Sequence, residues 1–253
     1  MKKAITITVV NHKGGVGKTT TAINLGIALS HRRKKVLLID LDPQANLTQS
    51  LGILDEQTQT IYGALRGVYP LPTLTVNGVD LTPSELDLSG AEIELSGAIG
   101  REFVLRDLLN TDQVANNYDY IIIDAPPSLG LLTTNALACT QFVIIPVQSE
   151  YLALQGLNKL HGVIELVRQK LNPGLQMLGV LLTRYDSRKV LNKNIEETLR
   201  GTFAGRVFKT MIRENIAIAE APTMGQDVIT YAPKSNGAQD YLQLGEEVET
   251  ILQ

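Results

Sequence analysis

The segment NHKGGVGKTT, residues 11–20, restricts the possible folds more than any other stretch of the chain. Gly14, Gly15, Val16 and Gly17 can turn their backbone N–H groups inward around an anion, because glycine removes the Cβ clashes such a curl would create. The run before it, AITITVV (4–10), is β-branched and apolar and predicts a buried strand. After it, KTTTAINLGIALS (18–30) predicts a helix through Ile23, Leu25, Ile27 and Leu29. Strand, glycine-rich loop and helix together are the phosphate-binding arrangement G-x-x-x-x-G-K-[ST], in which the helix aims its positive end at the phosphates. Lys18 is then expected at the β- and γ-phosphates, the Thr19 hydroxyl at Mg²⁺, and Thr20 at the α-phosphate. The pattern asks for glycine at position 12, but the chain has His12, followed by a second lysine, Lys13.

Four further apolar runs follow: VLLID (36–40), YIIID (120–124), FVIIPV (142–147) and LGVLLT (178–183). Apolar on both faces and separated by helical stretches, they predict an α/β fold, a doubly wound, mostly parallel sheet with helices on both faces. Such sheets bind ligands at the carboxyl ends of their strands, so functional residues are expected just after positions 10, 40, 124 and 147. Asp40 and Asp42 leave their strand at i and i+2 and point the same way. One suits a Mg²⁺-bound water and the other an attacking water, although an Asp-Pro turn without chemistry reads the same. Asp124, before APPS (125–128), has the Walker B placement of a carboxylate that reaches Mg²⁺ through water. A helix-capping aspartate is the plainer alternative. Pro126 and Pro127 stiffen the start of the next loop, which suits a segment that senses the γ-phosphate. Gln148 and Glu150 leave the next strand, where Ser149 or Glu150 also suits a helix cap.

A chain of 253 residues, 44% of them hydrophobic, has ample material for a core, and a single domain over 1–253 is expected. The stretch 66–100 is rich in turn formers and reads as an excursion at the sheet edge, and 236–252 as an acidic surface helix. Net charge is −3, so a nucleic-acid surface must be a local patch. The one cysteine, Cys139, lies in an apolar run and excludes an internal disulfide or a C-x-x-C site. Neither a membrane span nor a targeting segment is read, so a cytoplasmic protein is expected.

Taken together, NHKGGVGKTT, LLIDLDPQANLT, YDYIIIDAPPSLGLLT, VIIPVQSEYLALQGL and AEAP (219–222) resemble the ParA/Soj partition ATPases, in register from residue 4 to about 250. These belong to the deviant-Walker-A P-loop NTPases, a group that also includes MinD. The resemblance implies an ATP-dependent homodimer in which Lys13 crosses the interface to the phosphates of the partner subunit. A cation supplied in trans neutralises charge developing on the transferring phosphoryl group. It further implies that Asp42 positions the hydrolytic water, that Asp40 and Asp124 surround Mg²⁺, and that LLTRYD (181–186) and IRENIAIAEAP (212–222), with Asn215, hold the base. ATP is expected rather than GTP, because NKNI (192–195) lacks the aspartate of an N-K-x-D base-reading motif. Unaided hydrolysis is expected at about 10⁻³ s⁻¹ or less, stimulated by a ParB-like partner through a short basic peptide. The ATP dimer of such a protein binds DNA without sequence preference, which implies nucleoid association.

The chain departs from the family pattern in places. His12 replaces a frequent glutamine. Arg188 matches the arginine of a D-x-R stretch, but P-R-N-V-R here reads RENIA (213–217). That puts Glu214 and Ala217 at positions usually basic, with Arg213 compensating in part. Arg184, Lys189, Arg206 and Lys209 are further candidates for a basic face whose DNA binding would be steeply salt-dependent. A membrane-associated switch of the MinD kind needs a basic amphipathic tail. The tail DYLQLGEEVETILQ has four acids and neither lysine nor arginine. Iron–sulfur reductase relatives need two cysteines per subunit, and amide-forming synthetases share the loop but fit DPQANLT and APPSLGLLT less well.

Overall fold

The computed structural model describes residues 4–149 and 153–253. In chain order its first elements are β1 (Ile5–Val9), α1 (Lys18–His31), β2 (Val36–Asp40), α2 (Asn46–Ser50), α3 (Ile61–Leu65), β3 (Leu74–Val76), β4 (Val79–Thr82) and α4 (Leu88–Glu94). Next come α5 (Val104–Leu109), α6 (Asp112–Ala115), β5 (Tyr120–Asp124), α7 (Leu131–Cys139), β6 (Phe142–Gln148) and α8 (Ala153–Lys170). The last are β7 (Gln176–Thr183), α9 (Val190–Thr202), α10 (Ile216–Glu220), α11 (Val228–Tyr231) and α12 (Asn236–Leu252).

The strands form one seven-stranded sheet in the order β3-β4-β2-β5-β1-β6-β7. Only the β3–β4 pairing is antiparallel. The five apolar runs of the sequence are β1, β2, β5, β6 and β7; β2 and β5 are buried throughout and the others at all but their end residues, which follows from helices on both faces. One layer of core holds Leu37, Ile121, Ile123 and Leu137, and the other Ile7, Leu25, Leu38 and Tyr241. Register places Val9, Asp40 and Asp124 side by side at the carboxyl edge. Neighbouring strands lie about 4.8 Å apart, so the loop after β1 and the two aspartates form one cluster.

The stretch 66–100 is the edge excursion the sequence implied, but it is more ordered than its turn formers suggest. β3 and β4 form a hairpin closed by Asn77 (φ 48°) and Gly78 (φ 80°), the pair of positive φ values that a two-residue type I′ turn requires. α12 corrects the reading of 236–252 as a surface helix. One side of it is core: Tyr241, Leu244 and Val248 are buried. Gly245 lies so close to α1 that a Cβ there would stand 2.8 Å from the Ala28 Cβ.

Candidate nucleotide site at the carboxyl edge of the sheet

The loop after β1 is fixed from three sides. The Asn11 side-chain amide donates to the Pro146 carbonyl (2.7 Å) on β6, and its oxygen accepts from Lys13 N (3.1 Å). Thr183, at the end of β7, donates its hydroxyl to the Val16 carbonyl (2.9 Å). Gly15 (φ 75°) and Gly17 (φ 89°) take left-handed conformations that L side chains rarely adopt, so these two glycines set the course of the loop. Lys18 opens α1 and is buried. Its Nζ folds back to the Lys13 carbonyl (3.3 Å) and closes the loop on itself. Burial lowers the Lys18 pKa, and the nearby Asp124 and Asp42 carboxylates oppose that shift.

The Thr19 hydroxyl donates to Asp124 Oδ2 (2.6 Å), while Asp124 Oδ1 is buried with no hydrogen-bond donor. Burial, reinforced by the charge of Asp40, holds the Asp124 carboxyl well above the ordinary carboxylate range. Asp40 is also fully buried, and its carboxyl is pushed up to about 6. Unlike Asp124 it is held by its own loop, accepting from Asp42 N (3.2 Å), Thr48 N (2.9 Å) and the Thr48 hydroxyl (2.7 Å). Asp42 accepts from Gln44 N (3.0 Å) and lends its carbonyl to the Ser84 hydroxyl (2.8 Å). An orphaned carboxylate oxygen beside a threonine hydroxyl is an arrangement completed by a hard cation or its bound water. Among the described residues no group of three or more His, Cys, Asp or Glu side chains converges to hold a metal. A cation at Thr19 and Asp124 would take its remaining oxygen ligands from phosphate and water.

The other candidate residues lie around this cluster. His12 packs against α8, so closely that a Cβ on Gly156 would overlap its ring. Burial lowers the His12 pKa, as do the Lys159 and Lys18 charges. Thr20 lends its carbonyl to the Asn24 amide (2.7 Å). Asn215 caps α10, accepting from Ala217 N (2.9 Å). Gln148 ends β6, and the Ser149 carbonyl accepts from the Asn192 amide (3.1 Å), while Glu150 lies outside the described residues.

The residues expected to form a basic face lie among acidic partners. Arg188, Lys209 and Arg213 line one groove together with Asp186, Glu214 and Asp240. Arg188 pairs with Asp186 through Nε (3.0 Å) and Nη2 (2.9 Å), and Lys189 reaches Glu214 at 3.4 Å. Arg213 is anchored to buried Asp240 by Nε (3.0 and 3.1 Å), Nη2 (2.6 Å) and its backbone N (2.9 Å). Arg184 (φ 48°), Arg206 and Lys209 are exposed. Ala217, at a position the resemblance gave to arginine, is buried. The sequence reading passed over Asn11, Thr48, Ser84 and Thr183, which hold the loops. Only Asn11, directly ahead of the glycine loop, carried a local signal.

Comparison with known proteins agrees with this geometry. A family model described as an AAA domain matches residues 4–177. The chain is 47% identical over 253 residues to the sporulation initiation inhibitor protein Soj of Bacillus subtilis, covering 98% of each chain. It is 47% identical over 247 residues to the chromosome partitioning protein ParA of Myxococcus xanthus, covering 96% of this chain and 87% of that one. Among solved structures, a cobyrinic acid a,c-diamide synthase from Mycobacterium smegmatis, with bound ADP and magnesium, superposes with a TM-score of 0.85. It is 34% identical and covers 96% of this chain and 93% of its own.

Proposed function

Since this chain belongs to the ParA/Soj family of P-loop ATPases, we propose that it is a partition switch that dimerises with ATP, binds DNA without sequence preference, and is reset by slow hydrolysis. The observation that carries this reading is the cluster at the carboxyl edge of the sheet. There Lys13 and Lys18 share a loop that abuts Thr19, Asp40, Asp42 and Asp124.

The proposed roles follow from position. Backbone N–H groups of residues 14–17 and the start of α1 hold the phosphates of ATP. Lys18, released from the Lys13 carbonyl, gains a phosphate partner. That contact opposes the desolvation that otherwise lowers its pKa. Thr19 and Asp124 would hold Mg²⁺, with Asp40 behind them. The ion would supply positive charge against the phosphate oxygens. Asp42 orients the attacking water. Lys13 reaches the phosphates of the partner subunit, which ties dimerisation to ATP because the γ-phosphate is part of its anionic target. Asn215 stands at the base. A ParB-like protein stimulates turnover.

DNA would meet the groove of Arg188, Lys209 and Arg213, aided by Arg184, Lys189 and Arg206. Because Asp186, Glu214 and Asp240 neutralise part of that charge, affinity is expected to be modest and to depend on two grooves adding in a dimer. The test is fluorescence anisotropy of random-sequence duplex DNA with the Asp42→Ala protein, in ATP and in ADP, at two salt concentrations. ATP-only binding that weakens steeply with salt is the expected result. Equal binding in both nucleotides, or none at low salt with the dimer verified, would remove DNA from the proposal.

A further inference from the structure

The segment between β4 and α5 had no role in the sequence reading, yet it touches both loops that carry the catalytic carboxylates. At one end, Ser84 is buried, donates its hydroxyl to the Asp42 carbonyl (2.8 Å), and donates its backbone N–H to the Thr48 hydroxyl (3.0 Å). That same hydroxyl donates to Asp40 (2.7 Å). Eight positions on, in α4, Glu92 accepts from the backbone N–H of Leu132 (3.2 Å) in the first turn of α7. α7 follows directly on the loop 125–130 after Asp124, and the Thr133 hydroxyl ties back to the Ser128 carbonyl of that loop (2.5 Å).

The N-terminus of α7 is capped from outside. Gly130, its N-cap residue, makes no side-chain capping bond, so Glu92 supplies the acceptor that a serine or aspartate there would normally provide. Its negative charge also faces the positive end of the helix. Gly130 has φ −87°, an angle any residue adopts, so backbone freedom does not explain glycine at this position. A Cβ at 130 would overlap the Glu92 carboxylate, so a larger residue there would push that side chain off the Leu132 N–H.

We propose that Ser84 to Glu92 is a strut that sets the Asp42 loop and the loop after Asp124 in fixed relation, with Ser84 and Glu92 as positioning residues for hydrolysis. The proposal rests on the reading of Asp42 and Asp124 as catalytic-site groups. Neither Ser84 nor Glu92 is among the residues proposed to meet ATP or Mg²⁺. They act by holding the two loops that carry those residues, and a displacement of about 1 Å in such a loop costs up to about a hundredfold in rate.

Two readouts test it in the full chain. Glu92→Ala is expected to raise hydrogen exchange from Ser128 to Thr134, and to lower the ATPase kcat about tenfold, with KM for ATP within about twofold. Glu92→Gln keeps an acceptor and is expected to retain most of the rate. Gly130→Ala should mimic Glu92→Ala, and the double variant should be no worse than either single, since both break one contact. Unchanged exchange in a folded Glu92→Ala protein overturns the strut, as does a loss spread equally over Tm, KM and kcat. A wild-type protein without ATPase activity whose loop still loosens on Glu92→Ala would instead overturn the catalytic reading and leave the strut standing.

Discussion

Arg213→Ala separates a structural arginine from a DNA-binding one. The Arg213 guanidinium makes three contacts with the Asp240 carboxylate, through Nε (3.0 and 3.1 Å) and Nη2 (2.6 Å), and the backbone N–H adds a fourth at 2.9 Å. The Asp240 side chain is 4% exposed and that of Arg213 48%. Truncation leaves the backbone contact but strips a buried carboxylate of its cation. Charge-assisted hydrogen bonds contribute about 1.5–3 kcal/mol each in well-buried settings. Water reaches the half-exposed arginine side, so the net loss is set at about 2 kcal/mol. For a chain of this length that lowers Tm by about 4–8 °C. Arg188 is 89% exposed and, among the described residues, pairs only within its own turn, so Arg188→Ala should leave Tm unchanged. Thermal unfolding of both variants, beside DNA titrations of both, gives the comparison. A Tm for Arg213→Ala within about 1 °C of wild type would refute the structural assignment and return Arg213 to the pool of free cations.

Other outcomes are specific to the site and the core. Asp40 has a carboxyl at about 6 in the native protein against 3.8 ordinarily, so the native state holds a proton that the unfolded chain releases. Stability of the nucleotide-free protein should therefore fall as pH rises from about 4 to about 6, with Asp40 contributing up to about 3 kcal/mol and Asp124, whose carboxyl is also raised, adding in the same direction. Urea titrations across that range should show a shallower slope in Asp40→Asn than in wild type, the remainder belonging to Asp124, and identical slopes would contradict the assignment. Gly26→Ala would place a Cβ 2.6 Å from Leu38 Cδ2 in the core, so about 1–3 kcal/mol of destabilisation is expected. A neutral result in denaturant would show that Leu38 has room to repack.

The strands and their terminal aspartates were legible because a parallel sheet buried on both faces writes itself as apolar runs. The glycine loop was legible because its backbone geometry demands particular residues in sequence. The Asn77-Gly78 turn carried an equally local signal, which was lost among the prolines and threonines around it. What could not be read are contacts between distant positions. Thr48 on Asp40, Ser84 on the Asp42 carbonyl, Glu92 on α7 and Arg213 on Asp240 join residues from 8 to 42 positions apart. Nothing in composition or periodicity marks a threonine or glutamate as a loop clamp. α12 departs from a surface helix for a related reason: two of its four acids, Asp240 and Glu249, are buried and paired with Arg213 and with Arg32 and Lys34, while Tyr241 and Leu244 turn inward.

The central claim is that the γ-phosphate of ATP joins two copies of this chain through Lys13. Light scattering of Asp42→Ala with Mg-ATP, with ADP, and again with Lys13→Ala added, tests it most directly. Twice the monomer mass in ATP alone, reverting to monomer when Lys13 is removed, is the predicted result. A dimer that persists without Lys13, or that forms equally in ADP, would contradict the account.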